Sequence, residues 1–158
     1  MSEKQTLNFE VSARVSKPVE EVFEGVADPD KLSGYFTTGG AKGRLETGAT
    51  VMWDFHDYPG AFPVDVIEVE QNRRIILEWE AYEPGYNGPK YKTTVTMTFE
   101  PLDENTRTLV TLREEGWPAS RDTALKGSYG NCMGWSHMLA GLKVYLEHGI
   151  NLRDGMYK

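Results

Sequence analysis

Residues 121–148 leave a chain of this kind few folds to choose from. They read as one uninterrupted helix of about 40 Å at 1.5 Å per residue. Cys132, Trp135, Leu139, Leu142 and Leu146 recur at three/four spacing and make one apolar stripe. A long helix with one apolar stripe needs a broad apolar surface to cover, and the residues before it are strands. The same helix carries glycine at 130, 134 and 141, each costing about 1 kcal/mol relative to alanine in a helix interior. Room for something is one reason to accept that cost; tight packing is another.

The strands announce themselves by alternation. "TLNFEVSARV" (6–15) puts Leu7, Phe9, Val11, Ala13 and Val15 on one face. "GATVMWDFH" groups Val51, Trp53 and Phe55 against Met52, Asp54 and His56. "FPVDVIEVE" alternates through Phe62, Val64 and Val66, then changes phase at Ile67 and Val69, which predicts a bulge. "RRIILEWEAY" aligns Ile75, Leu77 and Trp79, and "YKTTVTMTFE" aligns Tyr91, Thr93, Val95, Met97 and Phe99. After the turn residues "DENT", "TLVTLREEGW" carries Val110, Leu112 and Glu114 on one face. Between the first and second strands, Val19, Val22, Phe23 and Val26 mark a short helix. Ser16 is its expected cap and Pro18 suits its first turn. Asp28-Pro29 stops it before a second helical turn. The expected architecture is α+β: a curved antiparallel sheet of about seven strands, two short helices, and the long C-terminal helix gripped by the sheet. Residues 1–158 are read as one domain, with 149–158 as a cap and frayed end.

Composition removes several functions. The net charge is −7, from 17 basic and 24 acidic residues, so the chain lacks the basic face of a nucleic-acid binder. No apolar run reaches the roughly 18 residues of a membrane span, and the N-terminus has no signal-like apolar stretch; a cytoplasmic location is expected. The lone Cys132 sits on the apolar stripe with no basic neighbour in sequence and reads as an inert thiol. His56 with Asp54 and Asp57 falls short of a metal-ligand pattern, so no metal is expected. No phosphate loop, dinucleotide fingerprint or nucleophile elbow occurs, and no cofactor is expected. "TTGGAKGR" reads as a flexible loop.

Taken in order, "VSKPVEEVFEGVADPDKLSGYF", "GATVMWDF", "VIEVEQNRRIILEW", "TVTMTFEPLDENTRTLVTLREEGW" and "GNCMGWSHMLAGLKVYLEHG" resemble the SRPBCC (START-like, birch-pollen-allergen-like) superfamily. Within it, the chain looks most like relatives of the C-terminal domain of the activator of the heat-shock-protein-90 ATPase. The resemblance implies a cavity between sheet and long helix that takes lipids, sterols, polyketides or other apolar molecules. It also gives the glycines a purpose: Gly130 and Gly134 at the cavity mouth or against the sheet, Gly141 beside the first strand. One departure is visible, since relatives carry histidine in a "THEG"-like stretch where this chain has "REEG".

The inward positions supply the candidate ligand-binding set: Trp53, Phe55, Phe62, Val64, Leu77, Trp79, Tyr91, Val95, Met97, Leu112, Glu114, Trp117, Tyr129 and Met133. Alternation leaves open whether they fill a solid core or wall a cavity; the resemblance implies the cavity. Glu114 falls on a buried face near the strand end, so it needs a partner: a ligand amine or hydroxyl, or, where the strand end frays, water or Arg113 and Arg121. Glu114, Tyr91 and Tyr129 are the expected polar contacts. "YEPGYNGPKY" (82–91), with Phe36 and Trp117, is either an entrance lid or a hairpin tip. The functional expectation is binding of a small hydrophobic molecule. The alternatives are a cyclase- or dehydratase-like enzyme on an aromatic polyketide-type substrate with Glu114 as acid/base, or a protein in contact with a chaperone. Either a monomer or a homodimer is compatible.

Overall fold

Alternating strands pair side by side to satisfy their backbone hydrogen bonds, and the apolar face they share needs a second layer to cover it. The computed structural model, which describes residues 5–157, shows how this chain does so. The elements run β1 (Thr6–Val15), α1 (Val19–Ala27), α2 (Pro29–Leu32), β2 (Gly40–Lys42), β3 (Thr50–Phe55), β4 (Tyr58–Glu70), β5 (Arg74–Glu80), β6 (Lys92–Leu102), β7 (Arg107–Pro118) and α3 (Asp122–His148). All seven strands form one antiparallel sheet in the order β1-β7-β6-β5-β4-β3-β2. The sheet curves around α3, and one apolar cluster fills the space between them. No helix among the described residues is long and apolar enough to cross a membrane.

The bulge falls where the phase change puts it. The β4–β5 register shifts between Val66 and Glu68, and Ile67 is turned outward, 45% exposed. The stripe of α1 (Val19, Val22, Phe23, Val26) is buried as a unit.

Three local expectations are corrected. Residues 40–42 form β2, the short edge strand on β3, rather than a loop. Ser16 does not cap α1, because the helix begins two residues later with Pro18, which has no side-chain acceptor, at the cap position. The cap comes from far along the chain, where Asn105 Oδ1 accepts from Val19 N at 2.9 Å. Asn105 belongs to the "DENT" turn, whose Asp103, Glu104 and Asn105 all have positive φ. Finally, the described part of the tail (149–157) folds back on the molecule rather than fraying: Arg153 is only 4% exposed.

The glycines of α3 do different jobs. A Cβ on Gly141 would meet Tyr35, which follows α2, and Arg153, not the first strand. On Gly130 it would lie 2.8 Å from the Tyr82 ring, and on Gly134 it would find nothing within 4 Å. The tightest approach is at Gly127, where a Cβ would collide with the Tyr82 carbonyl oxygen. Gly127, Gly134 and Gly141 are seven residues apart, two helical turns each, so they share one face.

A candidate ligand cavity

Where the middle of α3 faces β3, β4 and β5, the sheet and helix part to leave a cavity of about 650 Å³. Phe55, Phe62 and Trp79 come to it from the sheet, Phe36 from the turn after α2, and Gly130, Asn131, Met133, Gly134 and Trp135 from the helix. Tyr58, Lys90 and Met133 lie on its solvent side, and the tail adds Arg153 and Tyr157. The aromatic rings form one continuous contact. Phe36 stacks on Trp135 at 5.3 Å, Trp135 meets Trp79 at 5.4 Å, Trp79 meets Phe62 at 5.9 Å, and Phe62 stacks on Phe55 at 5.9 Å.

Four of the candidate residues therefore line the cavity: Phe55, Phe62, Trp79 and Met133. Trp53, Val64, Leu77, Val95, Met97 and Leu112 are fully buried in the packed cluster beside it. Tyr129 is 67% exposed and outside the lining. Trp117 is buried elsewhere, its indole N–H donating to the Tyr82 carbonyl at 3.1 Å. Tyr91 lies just before β6 and donates its hydroxyl to Glu83. Asn131, Trp135, Arg153 and Tyr157 were absent from the candidate set. Of these, only Trp135 carried a sequence signal, its place on the helical stripe.

Glu114 sits one layer behind the wall, completely buried. Four side chains converge on its carboxylate. Trp79 Nε1 donates to Oε2 at 2.9 Å and Thr93 Oγ1 to Oε2 at 2.7 Å. Trp135 Nε1 donates to Oε1 at 2.8 Å, and Asn131 Nδ2 bridges both oxygens at 3.1 Å. Burial pushes the Glu114 carboxyl up from its ordinary value, while these hydrogen bonds pull the other way. Neither arginine considered for it is its partner: Arg113 pairs with Glu115 and Arg121 with Glu83. One carboxylate thus fixes three lining side chains (Trp79, Asn131 and Trp135) and ties β5, β6, β7 and α3 together.

The connection between β5 and β6 is pinned by a second carboxylate. The Glu83 side chain is 2% exposed and accepts from Arg121 at 2.8 and 3.1 Å, from Thr123 at 2.6 Å and from Tyr91. The Arg121 guanidinium also lies 4.0 Å over the Tyr86 ring. Hydrogen bonds from Arg121, with help from Thr123 and Tyr91, hold Glu83 down to about 2, against an ordinary 4.5. A carboxyl held low in the folded state stabilises the fold above its ordinary value and stops doing so as pH falls through the folded one. Stability is expected to drop between about pH 4.5 and 2, and urea melts of Glu83→Gln should show a flatter profile across that window than the parent. Equal slopes would mean that Glu83 does not set the acid limit.

His56 is exposed, and among the described residues no group of three or more His, Cys, Asp or Glu could hold a metal ion. Cys132 is half-buried. His137 Nδ1 and the Tyr157 hydroxyl lie 2.5 Å apart, which ties the tail to α3.

A seven-stranded antiparallel sheet gripping one long C-terminal helix, with an aromatic cavity between them, defines a helix-grip protein of the SRPBCC type. The profile of the family described as "Activator of Hsp90 ATPase homolog 1-like protein" matches residues 16–147, and the chain belongs to that family. Among solved structures it is similar to protein SSP2350 from Staphylococcus saprophyticus, at 29% identity over 93% of this chain and 96% of that one, TM-score 0.73. It is also similar to DynU16, a protein of the dynemicin biosynthetic locus, at 26% identity and TM-score 0.71. That match covers 90% of this chain and 48% of DynU16, so this chain spans about half of it. In fold it matches the Aha1 dimer from Colwellia psychrerythraea, at 19% identity over 90% of this chain and 98% of that one, TM-score 0.69. No curated protein matches the sequence.

Proposed function

We propose that the protein binds a small apolar or amphipathic molecule, such as a lipid, sterol or polyketide-like compound, between β3–β5 and α3. The cavity itself supports this reading most. Its 650 Å³ falls within the roughly 300–1,000 Å³ of small-molecule sites, which are mostly apolar with a few placed polar groups. Burial of the ligand's apolar surface, at about 25 cal/mol per Å², would drive binding.

The cyclase- or dehydratase-like alternative needs a carboxyl within reach of a substrate proton. Glu114 is fully buried behind the lining and already engaged by four side chains, so it is poorly placed for that role. A chaperone-associated role has family membership alone on its side.

Gly134 offers a clean test, because a side chain there enters open space. The parent protein should bind the uncharged probe N-phenyl-1-naphthylamine saturably, read as enhanced emission. Gly134→Leu should lose at least tenfold in affinity without a lower melting temperature, since leucine favours the helix that glycine disfavours. Equal binding by both proteins, or none by the parent, would sink the reading.

A further inference from the structure

The tail returns across the cavity because α3 ends in a left-handed cap. Gly149 has φ 69° and its N–H donates to the Tyr145 carbonyl at 2.9 Å. The returning segment buries Arg153 in the cavity wall, 4% exposed. Its guanidinium lies over three rings, 5.2 Å from Phe36, 5.7 Å from Phe55 and 4.7 Å from Tyr157. Among the described residues no carboxylate comes within ion-pair distance of it, its side chain makes no hydrogen bond, and its Nε is buried without a partner.

The other lining charges are in a different state. Lys92 pairs with Asp65 at 2.6 Å, and Lys90 with Glu80 at 3.3 Å. Asp57 shares the lining and acts on Arg153 through space without reaching an ion-pair contact. A buried cation is costly unless an anion meets it, and ring faces compensate only part of that cost. Guanidinium also matches a carboxylate in two-pronged geometry.

We infer that Arg153 is the anchor for a ligand carboxylate, and that the cavity takes an amphipathic organic acid. Its head group would meet the guanidinium, and its apolar body would lie along Phe36, Trp135, Trp79 and Phe62. The inference rests on the cavity reading above and adds to it a chemical class and a fixed orientation.

Two matched pairs of probes separate the two ideas: dodecanoate against methyl dodecanoate, and 2-naphthoate against methyl 2-naphthoate, titrated calorimetrically at pH 7.5. The parent protein should prefer the acid of at least one pair by tenfold or more. Arg153→Met, which keeps the length and apolar stem, should erase that preference while still binding the ester. Arg153→Lys should keep part of it. Equal affinity for acid and ester in the parent overturns the anchor and leaves the cavity standing. A preference that survives both substitutions also overturns the anchor. Failure of the parent to bind any of the four compounds overturns both readings.

Discussion

Gly127→Ala is expected to lower the melting temperature by about 6 °C, although alanine is the better helix former. The added Cβ would collide with the Tyr82 carbonyl oxygen and lie 3.0 Å from its carbon and 3.2 Å from Glu83 Cα. All three are backbone atoms, so no side chain can swing away. Tyr82 is itself held, because its carbonyl accepts from the Trp117 indole at 3.1 Å and Glu83 next to it is tied to Arg121 and Thr123. Overpacking of a held site costs about 1–3 kcal/mol, occasionally more, displacing the Trp117 bond adds about 1 kcal/mol, and alanine's better helix propensity gives back about 1 kcal/mol, for a net cost of about 1–3 kcal/mol. At about 2–4 °C per kcal/mol for a chain of this size, that gives the shift stated. Gly134→Ala is the control: the same methyl meets nothing within 4 Å, so the gain in helix propensity, about 1 kcal/mol, should raise the melting temperature. Opposite signs on one helix face would show that space, not propensity, chose these glycines. A Gly127→Ala protein as stable as the parent would refute the account.

The second large effect is expected at Glu114. Glu114→Gln preserves shape yet should cost about 2–4 kcal/mol, because the amide cannot satisfy its donors. One indole N–H addresses each carboxylate oxygen, Trp135 on Oε1 and Trp79 on Oε2. Either orientation of a glutamine amide therefore points an NH₂ at an N–H. Thr93 can rotate its hydroxyl and Asn131 can flip its amide, but an indole has no acceptor to offer. Glu114→Ala should cost more, about 4–5 kcal/mol, since four donors, two of them fully buried, lose their acceptor and a cavity is left behind. Urea denaturation of the two variants checks both values. Losses below about 1 kcal/mol would mean that the network rearranges freely.

The strands were legible because each has one buried face, so that alternation alone placed Glu114 inward and located the bulge at Ile67. The helix was legible only in part. Its C-terminal half shows its inner face through Trp135, Leu139 and Leu142, but the inner face of the first half is Ala124, Gly127 and Ser128, with Asn131 one turn further. Small and polar residues leave no hydropathy signal, and Tyr129, the conspicuous aromatic nearby, points to solvent. Glycine spacing of seven was the overlooked clue to Gly127. Arg153 was out of reach, because a charged residue near a chain end reads as surface until the αL turn at Gly149 carries it back.

The carboxylate behind the wall also divides the cavity by stiffness. At its base, Trp79, Asn131 and Trp135 are fastened to one anion and cannot re-pack independently. At its rim stand Tyr58, Met133 and Lys90, all solvent-exposed. Surfaces that re-pack accept many guests, whereas fixed ones discriminate by shape. On the proposed binding function, a guest would therefore be inspected closely at its inner end and loosely at its outer one. Relatives that keep the carboxylate and its indoles while changing the rim would exchange one guest for another of the same inner shape, without rebuilding the fold.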